Sequence, residues 1–393
     1  MQPGICCKLY SSKTAMRMKK QSIPELQRIP LEEVCLTILG ANLASNCMDF
    51  LMQAPEPPSN EAVSSALKVL EEVDAIEPLT SSQDGRRLEI ITPLGEHLAK
   101  LPVHIRLGKM LIFGALFKVL DKTLTIAASL SSKSPFVTNI DNSHQAAAAH
   151  KAFAHPTSDF MTVCNVWDAY CTACEISRSN GRRFCEKNYL NRTAFVEIED
   201  TRKQFIQLLS QIGFIDRSHV IDNTINIVSS RYNVCGSNEN VLSAVICAGL
   251  YPNCAHVLST SIDDAPTIWH KKDQLWFHKS SVHHNKKKID SDWIIYHEKF
   301  ATHKVFVSTT SLIKPFSLLL FGKNIDVKYL ERKVVVDDWI ELKLPAQTGV
   351  MFRELREEMS TVLGKRIKGN LDDDGQKGEA MIDRITGLLK LEC

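Results

Sequence analysis

Apolar residues recur in three successive patterns along the chain, and each pattern changes at a break rich in proline, serine or glycine. In the first, Leu31, Val34, Cys35, Ile38 and Leu39 are spaced as on one face of a helix. Pro55, Pro57 and Pro58 then interrupt the chain. Ser59 or Asn60 is placed to cap a second helix carrying Val63, Ala66, Leu67, Leu70 and Val73 on one side. Two short β-like stretches, 75–79 and 88–92, flank Asp84-Gly85, which signals a hairpin. Helix, helix and hairpin over 32–101 is the pattern of a winged helix. Some such units bind DNA and others only join domains, so the pattern assigns no role.

Residues 102–258 read as a helical bundle. Leu107, Met110, Leu111 and Ala115 open the series, and Leu124, Ile126 and Ala127 continue it. A polar break follows at Ser131, Ser132, Ser134 and Pro135. Further periodic segments cover 160–176, 195–212 and 241–251, and the alanine run 146–149 also reads as helix. Asn180-Gly181 and Cys235-Gly236 are expected turns. The pattern shifts again over 259–350, to short β-rich runs at 267–269, 275–278, 293–297, 304–307, 317–321, 325–329 and 339–344. Strands of this length and spacing predict a small barrel of the five-stranded OB type. After Pro345, Phe352, Leu355, Met359, Val362 and Ile367 share one helix face. Glu354, Glu357 and Glu358 come early in it and Lys365, Arg366 and Lys368 late, a polarity suited to the helix dipole. A short helix around 381–389 closes the chain. The fold class is therefore mainly α with a small β-barrel. The N-terminal stretch fits none of these units. Residues 5–10 resemble a strand without a partner, and Pro24 and Pro30 bracket a linker, so the chain reads as beginning inside a larger domain.

Composition narrows the reading only a little. The 393 residues are 44% hydrophobic and 23% charged, ordinary globular values, and suit two to four domains. No apolar run approaches a membrane span and no apolar core suits a signal peptide, so a cytoplasmic or nuclear protein without a membrane partner is expected. Twelve cysteines in such a chain predict reduced, mostly buried thiols. Cys171-Thr172-Ala173-Cys174 has metal-ligand spacing but no second pair to complete a zinc site.

The net charge of +2 excludes a globally basic coat, not a local patch. Residues 271–304 hold eight lysines against four carboxylates, a local net charge of +4, with five histidines besides. Trp276, Phe277, Trp293, Tyr296 and Phe300 are interleaved with them. Lysines can track a phosphate backbone while aromatics stack bases; a lysine-rich solvated loop over aromatic core residues explains the same composition. Candidate chemistry is otherwise sparse. The Gly-Lys pairs at 108–109, 322–323 and 364–365 lack the following Ser or Thr of a phosphate loop. No acidic pair suits Walker-type magnesium chemistry, and there is no G-x-S-x-G elbow. His283-His284 are adjacent and read as loop residues.

The order of units, and the strings that mark them, resembles the C-terminal half of DEAH/DExH-box RNA helicases of the RNA helicase A type. Gln2-Pro3-Gly4-Ile5-Cys6 with Lys8-Leu9-Tyr10 looks like the segment after that family's arginine-rich ATPase motif, and Ile23-Pro24-Glu25-Leu26 with Arg28-Ile29-Pro30-Leu31 like its exit from the second RecA-like domain. Ile91-Thr92-Pro93-Leu94-Gly95 through Leu101-Pro102 is similar to the end of its winged helix. Gly108-Lys109-Met110-Leu111, Lys133-Ser134-Pro135-Phe136 and Ala248-Gly249-Leu250-Tyr251-Pro252-Asn253 resemble its ratchet domain. His278-Lys279-Ser280-Ser281, Tyr296-His297-Glu298-Lys299 and Leu319-Leu320-Phe321-Gly322 resemble its OB-fold.

The resemblance implies five divisions: the end of a RecA-like domain with its linker (1–31), a winged helix (32–101), a helical ratchet (102–258), an OB-fold (259–350) and a C-terminal helical extension (351–393). It implies single-stranded RNA in a channel closed by ratchet and barrel. The channel is coupled to a 3′-to-5′ motor of RecA-like domains whose ATP and Mg2+ sites, with the acidic box and arginine finger, would lie before Met1. This chain itself then carries no cofactor and no catalytic residue. The RNA-contacting residues are expected to be His278, Lys279 and Ser280, supported by Lys299 and Lys304, and in the ratchet Lys133 and Ser134. A core histidine for His278, and a solvated lysine beside a helix cap for Lys133 and Ser134, are the alternatives. Arg86 and Arg87 on the hairpin could touch RNA or the motor, or be plain surface charges. At the level of the whole chain, the alternative is a stand-alone, non-catalytic RNA-binding or adaptor protein.

Overall fold

A computed structural model describes residues 4, 7–18, 22–80, 87–137, 143–216, 230–258, 266–367 and 373–392. The strand expected over 5–10 is not formed in its described part. Cys7 and Lys8 are irregular, Leu9 and Tyr10 lie in a bend, and Leu9 is fully exposed. Helix α1 (Ser12–Arg17) follows and buries none of its side chains.

Helices α2 (Glu32–Gly40) and α4 (Asn60–Glu72) form on the two periodic stretches, and the Ser59 hydroxyl caps α4 by accepting from the Ala62 amide. A short helix not anticipated from the pattern, α3 (Cys47–Leu51), lies between them under an Asn46 cap. Strands β1 (Ile76–Thr80) and β2 (Arg87–Ile91) pair antiparallel, Ile76 opposite Ile91. The expected turn residues Asp84-Gly85 and Arg86 lie outside the described residues, as does the side chain of Arg87. Glu89 of β2 is buried and accepts from the Cys47 amide at 3.0 Å, tying hairpin to α3. Thr92 then caps α5 (Pro93–Ala99), with proline at the first helical position, where its missing N–H costs nothing.

The bundle is built around α6 (Ile105–Leu116) and α12 (Glu239–Leu250), both buried almost all round. They cross closely at Gly249, where an added Cβ would sit 2.6 Å from Met110 Cβ and 3.0 Å from the Arg106 carbonyl. Helix α7 (Leu120–Ser131) packs on α6 through Gly114 and Thr123. Arg202 of α11 (Arg192–Gln211) holds α7 by pairing with Asp121 at 2.6 Å. Helices α8 (Ser143–Lys151), α9 (Asp159–Ile176) and α10 (Arg178–Lys187) complete the layer. Asn180-Gly181 is helical rather than a turn. Both residues lie in α10, and Gly181 is pressed against Cys174 on α9 with no room for a side chain. Cys235-Gly236 does form a turn. Lys109 crosses the core: fully buried, it donates to the Val73 carbonyl at the end of α4 at 2.7 Å and reaches Asp74 at 3.4 Å. Burial lowers its pKa and Asp74 opposes the shift.

The barrel is closed and five-stranded, in the order β3 (Cys254–Leu258), β4 (Thr267–His270), β5 (Asp273–Phe277), β7 (Val305–Ile313), β6 (Trp293–Ala301). Only β5 and β7 run parallel. Its own small core includes Val257, Ile268, Leu275, Ile294 and Val307. Three expectations about this region need correction. The barrel starts at Cys254, ahead of residue 259. The run 317–321 is not a strand but lies in helix α13 (Pro315–Phe321), buried outside the barrel. The runs near 325–329 and 339–344 supply β8 (Ile325–Lys328) and β10 (Ile340–Leu342), which with β9 (Lys333–Val336) form a separate antiparallel sheet.

Helix α14 begins at Ala346, so Glu354, Glu357 and Glu358 fall in its middle, while Lys365 and Arg366 occupy its last turn. Helix α15 (Asp373–Leu391) is longer than expected. One apolar core runs continuously from Leu31 to Leu389, through all the helices that matter here. Within it, His97 of α5 is 1% exposed, its Nε2 bonded to the Leu363 carbonyl of α14 at 3.2 Å and its ring edge-on to Phe214. Burial, with smaller pushes from Lys100 and Arg366, lowers its pKa from 6.5 to about 4, against the hydrogen bond to Leu363.

Two predictions follow from this packing. Gly249→Ala overpacks the α6–α12 crossing and is expected to cost about 1–3 kcal/mol, read as a lower urea midpoint; an unchanged midpoint would mean the helices do not meet there. Between about pH 4 and pH 6.5 the unfolded chain binds more protons at His97 than the folded chain does. Its contribution to stability is therefore complete above pH 6.5 and lost as pH falls toward 4. His97→Leu should flatten the pH dependence of stability in that window relative to the unsubstituted protein; parallel curves would reject the assignment.

Candidate nucleic-acid interface

Alternation along the barrel strands decides which aromatics are available. Leu275 and Phe277 of β5 and Val305 and Val307 of β7 face the barrel interior. Trp276 and Phe306, which pair across β5 and β7, therefore face out. Phe300 stands opposite Phe306 across β6 and β7. The two phenyl rings stack with centroids 6.0 Å apart and planes 24° from parallel, and Phe300 is 37% exposed. His278 sets its ring edge-on to Phe300 at 5.3 Å, and His303 does the same to Phe306 at 5.6 Å. The Lys304 ammonium lies 4.8 Å from the centre of the Trp276 ring. The result is an outward aromatic platform with a cation at its edge, the pairing that sequence-tolerant binders of single strands use. Trp293 and Tyr296, by contrast, are buried, and Phe277 is half-buried against the barrel core.

His278 follows the last residue of β5, half-buried, and its amide donates to the Val307 carbonyl at 2.9 Å. The Ser280 amide donates to its Nδ1 at 3.3 Å, and the Ser280 hydroxyl lies 2.7 Å from the same nitrogen. An amide can only donate, so Nδ1 is the accepting nitrogen and the ring hydrogen sits on Nε2. Lys279 is exposed, and among the described residues no carboxylate pairs with it. Lys299 is drawn to Asp273 at 3.6 Å, which partly spends its charge within the barrel. The structure thus brings His278, Lys279, Ser280 and Lys304 together beside the platform, while Lys299 turns to Asp273 at the start of β5.

Lys133 and Ser134 lie elsewhere, in the exposed turn after α7. The Ser134 hydroxyl accepts from the Phe136 amide at 3.2 Å, a local turn bond. Among the described residues no hydrogen bond, ion pair or ring contact joins either to the barrel platform. Phe306 and His303 were not singled out from the sequence. Phe306 was findable, because strict alternation through 305–307 already exposes it.

What holds the platform is the loop between β5 and β6. Asp159, the first residue of α9, accepts from the Val282 amide at 2.8 Å and from the Thr310 amide at 2.7 Å, and from the Thr310 hydroxyl at 3.1 Å. Burial raises its pKa while these bonds pull it back. His283 is buried beneath the same loop with Nδ1 2.7 Å from the Thr310 hydroxyl, and burial lowers its pKa to about 4. A neutral buried ring fits a structural residue, and His284 beside it is exposed. Among the described residues no cluster of three or more His, Cys, Asp or Glu could hold a metal ion, and no helix is long and apolar enough to cross a membrane. The thiols of Cys171 and Cys174 are free.

Three stretches of the chain match known domain families. Residues 242–325 match the oligonucleotide/oligosaccharide-binding (OB) fold, residues 104–163 the ratchet-like helicase-associated domain, and residues 332–390 the C-terminal domain in RNA helicases. The chain aligns with the C-terminal part of DEAH-box RNA helicases. It is 36% identical to the ATP-dependent RNA helicase dhx29 of Xenopus laevis over 99% of its length, and 34% identical to the human DHX29 over all of it. To the human ATP-dependent DNA/RNA helicase DHX36 it is 33% identical, again over its whole length. The chain spans only 28% of the first two relatives and 38% of the third.

Asp159→Ala is expected to cost about 3 kcal/mol, since it strands amide donors that a charged oxygen now satisfies. Faster hydrogen exchange at the Val282 and Thr310 amides would accompany the loss. Unchanged exchange there would show that the loop is held by something else.

Proposed function

We propose that this chain is the accessory, RNA-binding part of an ATP-dependent RNA helicase. In this reading it guides single-stranded RNA past the barrel and couples it to RecA-like motor domains that hydrolyse ATP with Mg2+ and move 3′ to 5′. The observation that carries the reading is the platform of Trp276, Phe300 and Phe306, edged by Lys304 and Lys279, on a barrel of a nucleic-acid-binding family. Whole-length similarity to proteins named ATP-dependent RNA helicases supports it. Residues 32–101 fit a winged helix with one added helix, α3, and would serve as the joint to the motor. Residues 102–253 fit the ratchet, 254–313 the barrel proper, and the part from Pro315 onward a C-terminal unit wrapped on both.

In this scheme the chain performs no bond-making chemistry. Lys279 and Lys304 neutralise phosphates, the rings stack bases, and His278 Nε2–H donates to a sugar or base oxygen. Lys299 contributes less, because Asp273 already neutralises part of it.

The test is binding of a fluorescent single-stranded RNA of about a dozen nucleotides to the full 393-residue chain, across a salt series. Lys279→Ala with Lys304→Ala should weaken binding and reduce the log–log salt slope by about 1.4, roughly 0.7 per phosphate contact. Phe306→Ala should weaken binding about 5- to 150-fold, for the roughly 1–3 kcal/mol a stacked base supplies, with the salt slope unchanged. If all three substitutions leave affinity and slope intact, the platform is not the RNA site.

A further inference from the structure

Helix α10 divides sharply into an inner and an outer side. Inward, Gly181 is pressed on Cys174 of α9, Cys185 is buried and Phe184 lies edge-on to Phe153. The exposed positions are Arg178, Ser179, Arg182, Arg183, Glu186 and Lys187, so four of the six are cations. Glu186, the one carboxylate among them, is held by Arg182 at 2.9 Å. Among the described residues no carboxylate pairs with Arg178, Arg183 or Lys187. Arg192, exposed at the start of α11, adds a further cation close by: burial raises the Cys185 thiol to about 11, and Arg192 pulls against that rise. Two aliphatic side chains stand at the margins, Ile176, 74% exposed at the end of α9, and Val196, 43% exposed one turn beyond Arg192. The rings nearby are engaged. Tyr170 stacks on Phe195 with centroids 4.4 Å apart, and the Tyr189 hydroxyl donates to Gln145 at 2.6 Å. No ring is exposed on α10 or over 192–196. Helix α9 runs 18 residues, about 27 Å, from the Asp159 clip at the barrel to the end from which α10 starts.

We propose that the outward face of α10 is a docking surface for an acidic partner protein, one that presents carboxylates beside aliphatic residues on an amphipathic segment. Helix stability does not account for this face. Arg178 and Arg182, and again Arg183 and Lys187, stand four residues apart, where like charges repel. Arg178 lies in the first turn, where a cation meets the positive end of the helix dipole, and no acid accompanies it there. These are local costs, and opposite charge brought from outside relieves them. Arginine fits that use: its planar fork takes a carboxylate through two hydrogen bonds. Arginine is also enriched in protein interfaces, where lysine is depleted, and here it supplies every cation but Lys187. Ile176 and Val196 give such a partner apolar contact at the margins of the charge. A nucleic acid would find cations for its phosphates but no free ring to stack a base, in contrast to the barrel platform. The proposal does not depend on the RNA-binding reading; it adds a second partner, of a different class, on another side of the molecule.

The experiment uses the full 393-residue chain and a fluorescent synthetic peptide of about 14 residues, four helical turns, with glutamates on one side and leucines on the other. A peptide of the same pattern with lysines in place of glutamates is the control. The unsubstituted chain is expected to bind the acidic peptide, less tightly as salt rises, and not the basic one. Arg178→Gln/Arg183→Gln/Lys187→Gln puts a good helix former at three exposed positions, so the urea midpoint should not fall. This variant should weaken acidic-peptide binding about 3- to 150-fold, for three exposed ion pairs, and leave binding of single-stranded RNA unchanged. Ile176→Ser should weaken the peptide with its salt dependence intact. Phe306→Ala should alter RNA binding alone. No preference for the acidic peptide, or an affinity that survives the triple substitution, overturns the proposal. So does a triple variant that loses RNA binding instead, which would make the face a phosphate track.

Discussion

The close crossing of α6 and α12 is the constraint from which the rest of the molecule hangs. Both helices are apolar on nearly every face, so each must be covered on all sides, and glycine at the crossing lets their backbones approach. Their remaining faces recruit everything else. Lys109 on α6 reaches the end of α4, and Arg106 donates to the Leu250 carbonyl that ends α12. Ser243 on α12 donates to the Leu312 carbonyl of β7, so the same helix pair that organises the bundle also seats the barrel. The buried Lys109 amine is tolerable because Asp74 pairs with it and a helix-terminal carbonyl, otherwise an orphan acceptor, needs a donor at that place.

The barrel is thus not a bead on a string. Asp159 clips its loop and its last strand to the start of α9, while Tyr251 and the Lys323 and Asn324 amides all converge on the Asp337 carboxylate beside it. The barrel platform is therefore tied to the bundle by side-chain and backbone bonds as well as by the chain itself. Positions fixed in this way suit recognition, because little order has to be imposed when a ligand arrives.

Much of the helical part was legible in the sequence, since amphipathic spacing and caps act locally. The Ser59 cap, the apolar faces of α4, α9 and α11, and the β1–β2 pairing are examples. What failed, failed where tertiary packing overrides local pattern. The run 318–321 is apolar throughout, so it carries no periodicity to tell strand from helix; only Pro315 before it and Gly322 after it mark a helix. Gly181 reads as a turn residue, but it is there so that α10 can lie against Cys174. Strands β8 and β10 have barrel-like length and spacing, yet pair with β9, because strand pairing is a non-local choice that spacing does not encode. The site shows the same division. Composition showed a basic, aromatic-rich stretch over 271–304, the resemblance pointed to His278, Lys279, Ser280, Lys299 and Lys304 within it, and the structure sets all of these but Lys299 beside the platform. Lys133 and Ser134 come from a resemblance in sequence, and distance along the chain held no hint that they stand apart from it.

The hydrogen bond from His97 to the Leu363 carbonyl joins residues 266 positions apart. A chain emerging at roughly 5–20 residues per second presents α5 about 13–53 s before that carbonyl exists. Throughout that interval the apolar side of α5 and the base of the hairpin have no lid. On the ribosome, this region needs cover, and it can become native only once the chain has been made past Leu363.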